Sequence, residues 1–427
     1  MLKKVLIITY YWPPSGGGGV QRWAKMAKYF KEFGWEPTVY IPANPDYPII
    51  DHSFDVDVQG IKVIKGSIIE PSRILKKIGR GKEANLNSGF VVKKDSFTQR
   101  LAIAIRGNFF IPDARKLWIK PSVKTLSKWL LSNEVDAIVS TGPPHSCHRI
   151  AMQLKKQHGT PWISDFRDPW TNIDFYNDLH LTKWADRKHH RQEREVLENS
   201  NLVIAVGKTL AQELKNLGAK RTAVVTNGYD QIIKSTSLDS NFSILHIGRL
   251  GKSRNPNILW KVIRELSDEL EGFKEDCIVN LVGNVDGEVS ESTSNLGISN
   301  NVFIHQGVSN LESLKLQSKS QILLLLINDT PNAKGILTGK FFEYLSVARP
   351  ILCLGPKNGD AAELLKKTNA GVIFSPGEHD LLKEELSLMY QKYKQGRLSL
   401  ENTKVDEYSR KNLAQQFAMH LQSVVDE

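Results

Sequence analysis

Short apolar runs alternate with helix-patterned segments along almost the whole chain, and that alternation restricts it to a parallel α/β architecture. KKVLIITYY leads through a glycine loop into QRWAKMAKYFKEFG and PTVYIPA. VKTLSKWLLSN, VDAIVST, HRIAMQLKKQHG, PWISDF, a long basic helix around Lys183 to Glu198, NLVIAVG, KTLAQELKNLG and AVVTNGYD follow. The pattern then restarts with NFSILHIGRL, PNILWKVIRELSDEL, CIVNLVG, VFIHQG, NLESLKLQS, QILLLLIN, a helix over KFFEYLSV, PILCLG, AAELLKKT and AGVIFS. Strands separated by helical stretches of about 10–15 residues pair in parallel through right-handed crossovers. At 427 residues the chain exceeds one hydrophobic core, so two domains are expected. The boundaries fall at 1–234 and 241–407, with the polar, Ser-rich stretch from Ser235 to Asn241 as the linker and a terminal helix over about 408–427.

Composition excludes several classes. A hydrophobic fraction of 41% with 24% charged residues is that of a soluble globular protein. The apolar run in MLKKVLIITYYWPP is too short for a signal core or a membrane span and reads as a first strand. Cys147, Cys277 and Cys353 are odd in number and lack metal-ligand spacing, so neither a disulfide framework nor a zinc site is indicated, and a reducing cytoplasm fits. The formal charge of +11 is concentrated: residues 61–130 hold 16 Lys and Arg against 4 Asp and Glu, a net of +12. Between those cations stand Ile68, Ile69, Ile74, Leu75, Ile78, Phe97, Leu101, Ile103, Ile105, Phe109, Phe110, Leu117 and Trp118. Cations interleaved with aliphatic and aromatic residues suit an anionic lipid surface, the plainer alternative being a solvated face on a helical insertion. No helix-turn-helix, finger or RNP pattern accompanies the charge, which argues against nucleic acid.

Polar clusters stand where strands end. In GILTGKFFEYLSVARP, the N–H groups of Thr338, Gly339 and Lys340 open a helix whose dipole favours phosphate, and Glu343 could accept hydrogen bonds from ribose hydroxyls. The alternative is an ordinary amphipathic helix with Phe341, Phe342, Tyr344, Leu345 and Val347 in the core. HIGRLGKSRNP places Gly248, Arg249, Lys252 and Arg254 behind a strand, cations able to hold a diphosphate without a metal. After the first strand comes Pro13 to Gly19, with Gly17 and Gly18 at its centre. Gln21 replaces the third glycine of G-x-G-x-x-G and no acidic residue ends PTVYIPA, so a nicotinamide dinucleotide is not expected; the lack of G-K-[ST] argues against a P-loop. STGPPHSCHRIA offers His145 and His148, and SDFRDPW offers Asp165, Arg167 and Asp168, which rank above the histidines. His189 and His190, in WADRKHHRQERE, read as solvated.

Together YYWPPSGGGGVQR, DFRDPW, VTNGYD, HIGRL and KFFEYLSVARPIL resemble glycosyltransferase family 4 (group 1), over nearly the whole chain. That resemblance implies the GT-B architecture: two Rossmann-like domains facing across a cleft, a basic insertion at about 61–130 in the first, and a carboxyl-terminal helix returning to it. It also implies a retaining, metal-independent transfer from a nucleotide-activated sugar bound mainly to the second domain. Carried across, Arg249 with Lys252 or Arg254 would bind the diphosphate and Glu343 the ribose, as the second Glu of the family's Glu-x7-Glu pattern. Gly335 replaces the first Glu. Arg167 stands where the family has a histidine; an arginine stays protonated and cannot act as a base, so Asp165 or Asp168 becomes the candidate for an acceptor hydroxyl.

The expectation is an enzyme of the hexosyltransferase type, with Arg249, Arg254, Glu343 and Asp168 in the chemistry and Gly17, Gly18, Gly248, Lys252, Thr338, Gly339 and Lys340 on the donor. Asp165, Arg167 and His145 would face the acceptor. Its partners would be a nucleotide sugar, by family default a UDP-sugar, a glycan or lipid-linked acceptor and an anionic membrane surface, with no cofactor, metal or nucleic acid. The expected location is the cytoplasm, extended to peripheral attachment at the inner face of the plasma membrane. Two alternatives are another nucleotide-sugar reaction of the same fold, such as epimerisation, and a non-catalytic sugar-nucleotide-binding scaffold.

Overall fold

The computed structural model describes residues 2–70, 97–233, 237–328, 330–400 and 403–427, with side chains from residue 103 onward in the helix Phe97–Phe109. Ile74, Leu75 and Ile78 of the basic insertion, the side chains of Phe97 and Leu101, and Ser235 in the expected linker lie outside the described residues.

Two compact units form, Met1–Thr226 with Arg410–Glu427, and Asn227–Ser409. The chain leaves the first unit at Thr226, upstream of the polar stretch from Ser235 to Asn241. Tyr229 and Ile233 already donate backbone hydrogen bonds to Tyr408 and Ser346 of the second unit.

The first sheet contains β1 (Lys3–Ile8), β2 (Trp35–Pro42), β3 (Lys62–Gly66), β4 (Ala137–Gly142), β5 (Trp162–Phe166), β6 (Leu202–Ala205) and β7 (Thr222–Val224). Its order is β3-β2-β1-β4-β5-β6-β7, and every pairing is parallel. The second contains β8 (Phe242–Ile247), β9 (Cys277–Val282), β10 (Val302–His305), β11 (Ile322–Leu326), β12 (Ile351–Leu354) and β13 (Gly371–Phe374). Its order, β10-β9-β8-β11-β12-β13, repeats that plan in parallel pairings. Each sheet reverses its strand order once, between β1 and β4 and between β8 and β11. At such switch points the loops splay apart beyond the strands' carboxyl ends and leave room for a ligand. These are two Rossmann-like α/β units, as the alternation of strands and helices predicts.

Both faces of the first sheet are covered. Leu6 and Ile8 of β1 join one apolar cluster with helices Ile119–Leu130 and Ser146–His158. Val5 and Ile7 join another with helices Gly18–Tyr29 and Arg410–Val425. Successive strand residues point to opposite faces, so an uninterrupted apolar strand is one buried on both sides. In Arg410–Val425, Leu413, Ala414, Phe417, Ala418 and Leu421 make one buried stripe, with Phe417 edge-on to Trp23 at 5.1 Å.

The segment 61–130 departs from a plain helical insertion. It begins with the edge strand β3 and ends with core helix Ile119–Leu130. Trp118 is fully buried and stacked on Tyr40 at 5.5 Å, so it belongs to the core rather than to an interfacial surface. Its slot under β2 is filled by the largest side chain available, which is a packing demand that sequence spacing does not reveal.

Candidate functional site

In the second unit, β8 ends at Ile247 and the chain turns at Gly248, whose φ of 117° only glycine adopts readily. A side chain at Gly248 would also collide with the Lys340 ammonium group, which lies directly over it. Lys340 comes from helix Gly339–Ser346, behind β11. Phe341, Phe342, Tyr344 and Leu345 of that helix are buried, which leaves Lys340 and Glu343 on the more open side. The core face and the polar face coexist, so the two readings of the motif are one helix.

Burial, reinforced by the nearby Arg254 guanidinium and opposed by Glu343, pushes the Lys340 ammonium down to about 8. Desolvation penalises the charged form, and a like charge adds to it. Arg254 donates to the buried Asn328 after β11, so the switch-point loops are tied together. Beneath them His246 donates through its Nδ1–H to the Leu324 carbonyl, 3.0 Å away, while its Nε2 has no side-chain or backbone partner within hydrogen-bond distance. Burial, with Lys340 next, pushes His246 down to about 3, so it stays neutral. Thr338 occupies the N-cap position but makes no capping bond, and its buried Oγ1 has no partner. Unmet N–H donors at a helix start, beside two cations, are arranged for an anion.

Arg249 is exposed on the same loop. Lys252 points elsewhere: its side chain is 76% exposed and pairs with Glu288 at 2.7 Å, so the structure brings Arg254 rather than Lys252 to Lys340. Gly335 lies in the turn Ala333–Gly335 ahead of the helix. His246 and Asn328 were not singled out from the sequence. The only available signal was their position at strand ends, which many structural residues share.

In the first unit, the four consecutive glycines divide by role. A Cβ on Gly16 would meet Ile49, and one on Gly19 would meet Tyr11 and Arg167 at 3.0 and 3.2 Å. Gly17, with φ 87°, caps helix Gly18–Tyr29, and both it and Gly18 face open space. That helix start has no side-chain cap and no acidic residue in its first turn.

Asp165 is fully buried and its carboxylate is engaged on both oxygens. Arg22 donates to it at 2.8 and 3.1 Å, Trp23 at 2.8 Å and Thr141 at 2.9 Å. Burial raises its pKa, but the Arg22 charge and these donors outweigh burial and hold it below the usual carboxylate range. Arg22 also donates to the carbonyls of Val225 and Thr226. This geometry makes Asp165 a clamp on the glycine-loop helix rather than a group open to an acceptor. Arg167 donates to the carbonyls of Gly19, Gly142 and Pro143, and so staples the glycine loop to the loop after β4. Asp168 is exposed beside it.

His145 is buried and stacks on Trp170 at 4.7 Å; burial, with His148 next, lowers its pKa well below the ordinary histidine value. Its Nδ1 and the Nε2 of His148 both lack partners and both face the Cα of Gly142. His148 contacts Ser140 through Nδ1 at 2.8 Å. His189 is buried, not solvated: Trp170 donates to its Nδ1, and its Nε2 lies 3.2 Å from the Gly107 carbonyl. The packing of helix Phe97–Phe109 over it, from distant sequence, overrides the surrounding charges. His190 is exposed.

Residues 87–231 match the family model described as Glycosyltransferase Family 4. No curated protein sequence matches the chain. Among solved structures, the lipopolysaccharide outer core galactosyltransferase WaaB, in its apo form, is 14% identical, with 99% of this chain and 100% of that one covered at a TM-score of 0.58. HepE of Anabaena, in complex with UDP-glucose, is 14% identical over 99% and 97% of the two chains, with a TM-score of 0.55. A putative UDP-N-acetylglucosamine 2-epimerase from Listeria monocytogenes is 12% identical over 99% and 98%, with a TM-score of 0.50. Identities this low carry the fold alone, and the fold is GT-B. The match over residues 87–231 and this fold are both those of glycosyltransferase-type enzymes. Among the described residues, no helix is long and apolar enough to cross a membrane.

Proposed function

We propose that this enzyme transfers a sugar, with retention at the anomeric carbon, from a nucleoside diphosphate sugar to a lipid-linked or surface-polysaccharide acceptor. The observation that carries the reading is the convergence of Arg254, Lys340, Glu343 and the uncapped N–H groups after Thr338 over the side-chain-free Gly248. A diphosphate there meets two cations and a helix start, which together supply the charge neutralisation that departure of a nucleoside diphosphate demands, with no metal required by the proposal. Arg249, on the same loop, adds a further cation, and Glu343 would accept from ribose. In the first unit, Arg167 and Asp165 hold the loops in place, while Asp168 and the open backbone of Gly17 and Gly18 are available to the acceptor side, and the buried His145 backs the loop after β4. The HepE complex with UDP-glucose supports a UDP-sugar as the first donor to try.

Acceptor-free epimerisation is a second reading, favoured by the likeness to the Listeria protein and by Gly335 standing where the family's sugar-gripping carboxylate is expected. A thermal-shift screen of UDP-, GDP-, ADP- and CMP-sugars on wild type and Glu343→Ala is the first test. Donor at ~100 times its Kd stabilises the fold by about 2.7 kcal/mol. One donor class acting on wild type but not on the variant supports the site, and no effect from any donor removes it. Conversion of the bound sugar without acceptor would favour the epimerase reading.

A further inference from the structure

We infer that Asn328 is a positioning residue of the donor site: its amide oxygen holds Arg254 across the switch point, so that Arg254 and Lys340 stand ready for a diphosphate before any ligand arrives. The inference deepens the proposed function and rests on its reading of these loops as the place of the diphosphate.

The two cations reach the site from different loops. Arg254 ends the short turn Lys252–Arg254 after β8, and Lys340 belongs to helix Gly339–Ser346 behind β11. The base of the Arg254 turn is anchored away from Lys340: Lys252 pairs with Glu288 at 2.7 Å, Trp260 donates to Asn255 at 2.7 Å, and Asn255 donates to Ser292 at 2.9 Å. The tip of Arg254 is anchored on the other strand's loop, where its Nε–H donates to Oδ1 of Asn328, a buried residue just beyond the end of β11. Arginine nitrogens only donate, so this contact fixes which end of the Asn328 amide faces Arg254.

Such a hold is needed because the arrangement opposes itself. Like charges repel, and an arginine side chain released into water has many rotamers open to it. Lys340 feels the repulsion: burial first, then Arg254, pushes its ammonium down to about 8, with Glu343 acting the other way. Both cations also act on the buried His246 beneath them. Asparagine suits the task because its oxygen accepts from a guanidinium without cancelling the charge, whereas a carboxylate there would hold Arg254 and neutralise it. Cations fixed beforehand lose less conformational freedom when the phosphates bind.

Calorimetric titration of UDP into the full-length protein at pH 7, on wild type, Asn328→Ala, Arg254→Gln and the double variant, is the test. Asn328→Ala should weaken UDP roughly 10-fold, the share of one hydrogen bond to a charged group. In the Arg254→Gln background the same change should matter by no more than about twofold, since no guanidinium is left to aim. Competitive acetylation of Lys340, read by mass spectrometry across pH, should show its midpoint rising in Asn328→Ala as Arg254 moves off, a readout that a merely structural asparagine would leave alone. Asn328→Leu, which keeps the side-chain volume and removes the acceptor, carries the same measurements if Asn328→Ala fails to fold. Wild-type UDP affinity in the Asn328 variants, an equal loss with and without Arg254, or an unmoved Lys340 midpoint overturns the inference and leaves the donor site standing. Absence of UDP binding by wild type would instead remove the proposed donor site, while the Lys340 midpoints would still decide whether Asn328 holds Arg254 beside it.

Discussion

Replacing Lys340 with methionine should make the empty protein more stable and the donor site worse. In the folded state the ammonium group releases its proton from about 8, against the ordinary lysine value of 10.5 in the unfolded chain. Between those values the unfolded chain binds more protons, so stability rises with pH; below about 8 the folded protein carries the full cost of a desolvated charge. A shift of roughly 2.5 units corresponds to about 3 kcal/mol. Methionine keeps the length of the side chain and removes the charge, so at pH 7 it should raise the melting temperature of the second unit by at most about 10 °C. The advantage should shrink as the pH approaches 10.5, because wild type then sheds the same proton. Donor binding should move oppositely, since a charged hydrogen bond to phosphate contributes about 1.5–3 kcal/mol. UDP affinity by calorimetry should accordingly fall by roughly 10- to 150-fold. Melting curves from pH 6 to 10.5 on both proteins, with UDP titrations at pH 7, provide the check. A variant less stable than wild type at pH 7, or one that binds UDP equally well, would refute the argument that this lysine is held under strain for an anionic ligand.

Three further outcomes follow from the first unit. Asp165→Asn leaves the Arg22 guanidinium buried without its counter-charge, and should destabilise the unit by about 3–5 kcal/mol in urea unfolding. A loss within 1 kcal/mol would mean that the clamp matters little. Gly142→Ala places a Cβ 2.5 Å from His148 Nε2 and 3.1 Å from His145 Nδ1, and the resulting overpacking should cost about 1–3 kcal/mol, read as a lower chemical midpoint. His148, pushed down to about 3 chiefly by burial, contributes stability that is complete above the ordinary histidine value of 6.5 and lost as the pH falls toward 3. His148→Gln should therefore flatten the acid limb of the stability–pH curve, and an unchanged limb would assign acid sensitivity to other groups.

The sequence by itself determined the repeated strand–helix order, because a period of two or an unbroken apolar run cannot be hidden in a chain that must bury both faces of its sheets. It also determined that Gly248, Lys340 and Glu343 stand at strand or helix ends, since glycine, lysine and glutamate punctuate otherwise apolar runs there. It was silent on β3, whose KVIKG has too few apolar residues to separate an edge strand from a loop. Only the tertiary structure decided which partner each polar group finds. Asp165 reads as a ligand-facing carboxylate from DFRDPW, yet Arg22, 143 residues away, takes it for a buried clamp. Lys252 and Arg254 are indistinguishable in HIGRLGKSR until one turns to Glu288 and the other to Asn328. His189 looks solvated among charges until helix Phe97–Phe109 covers it. Local periodicity is written in neighbouring residues, whereas burial and pairing depend on segments that meet only after the chain has folded.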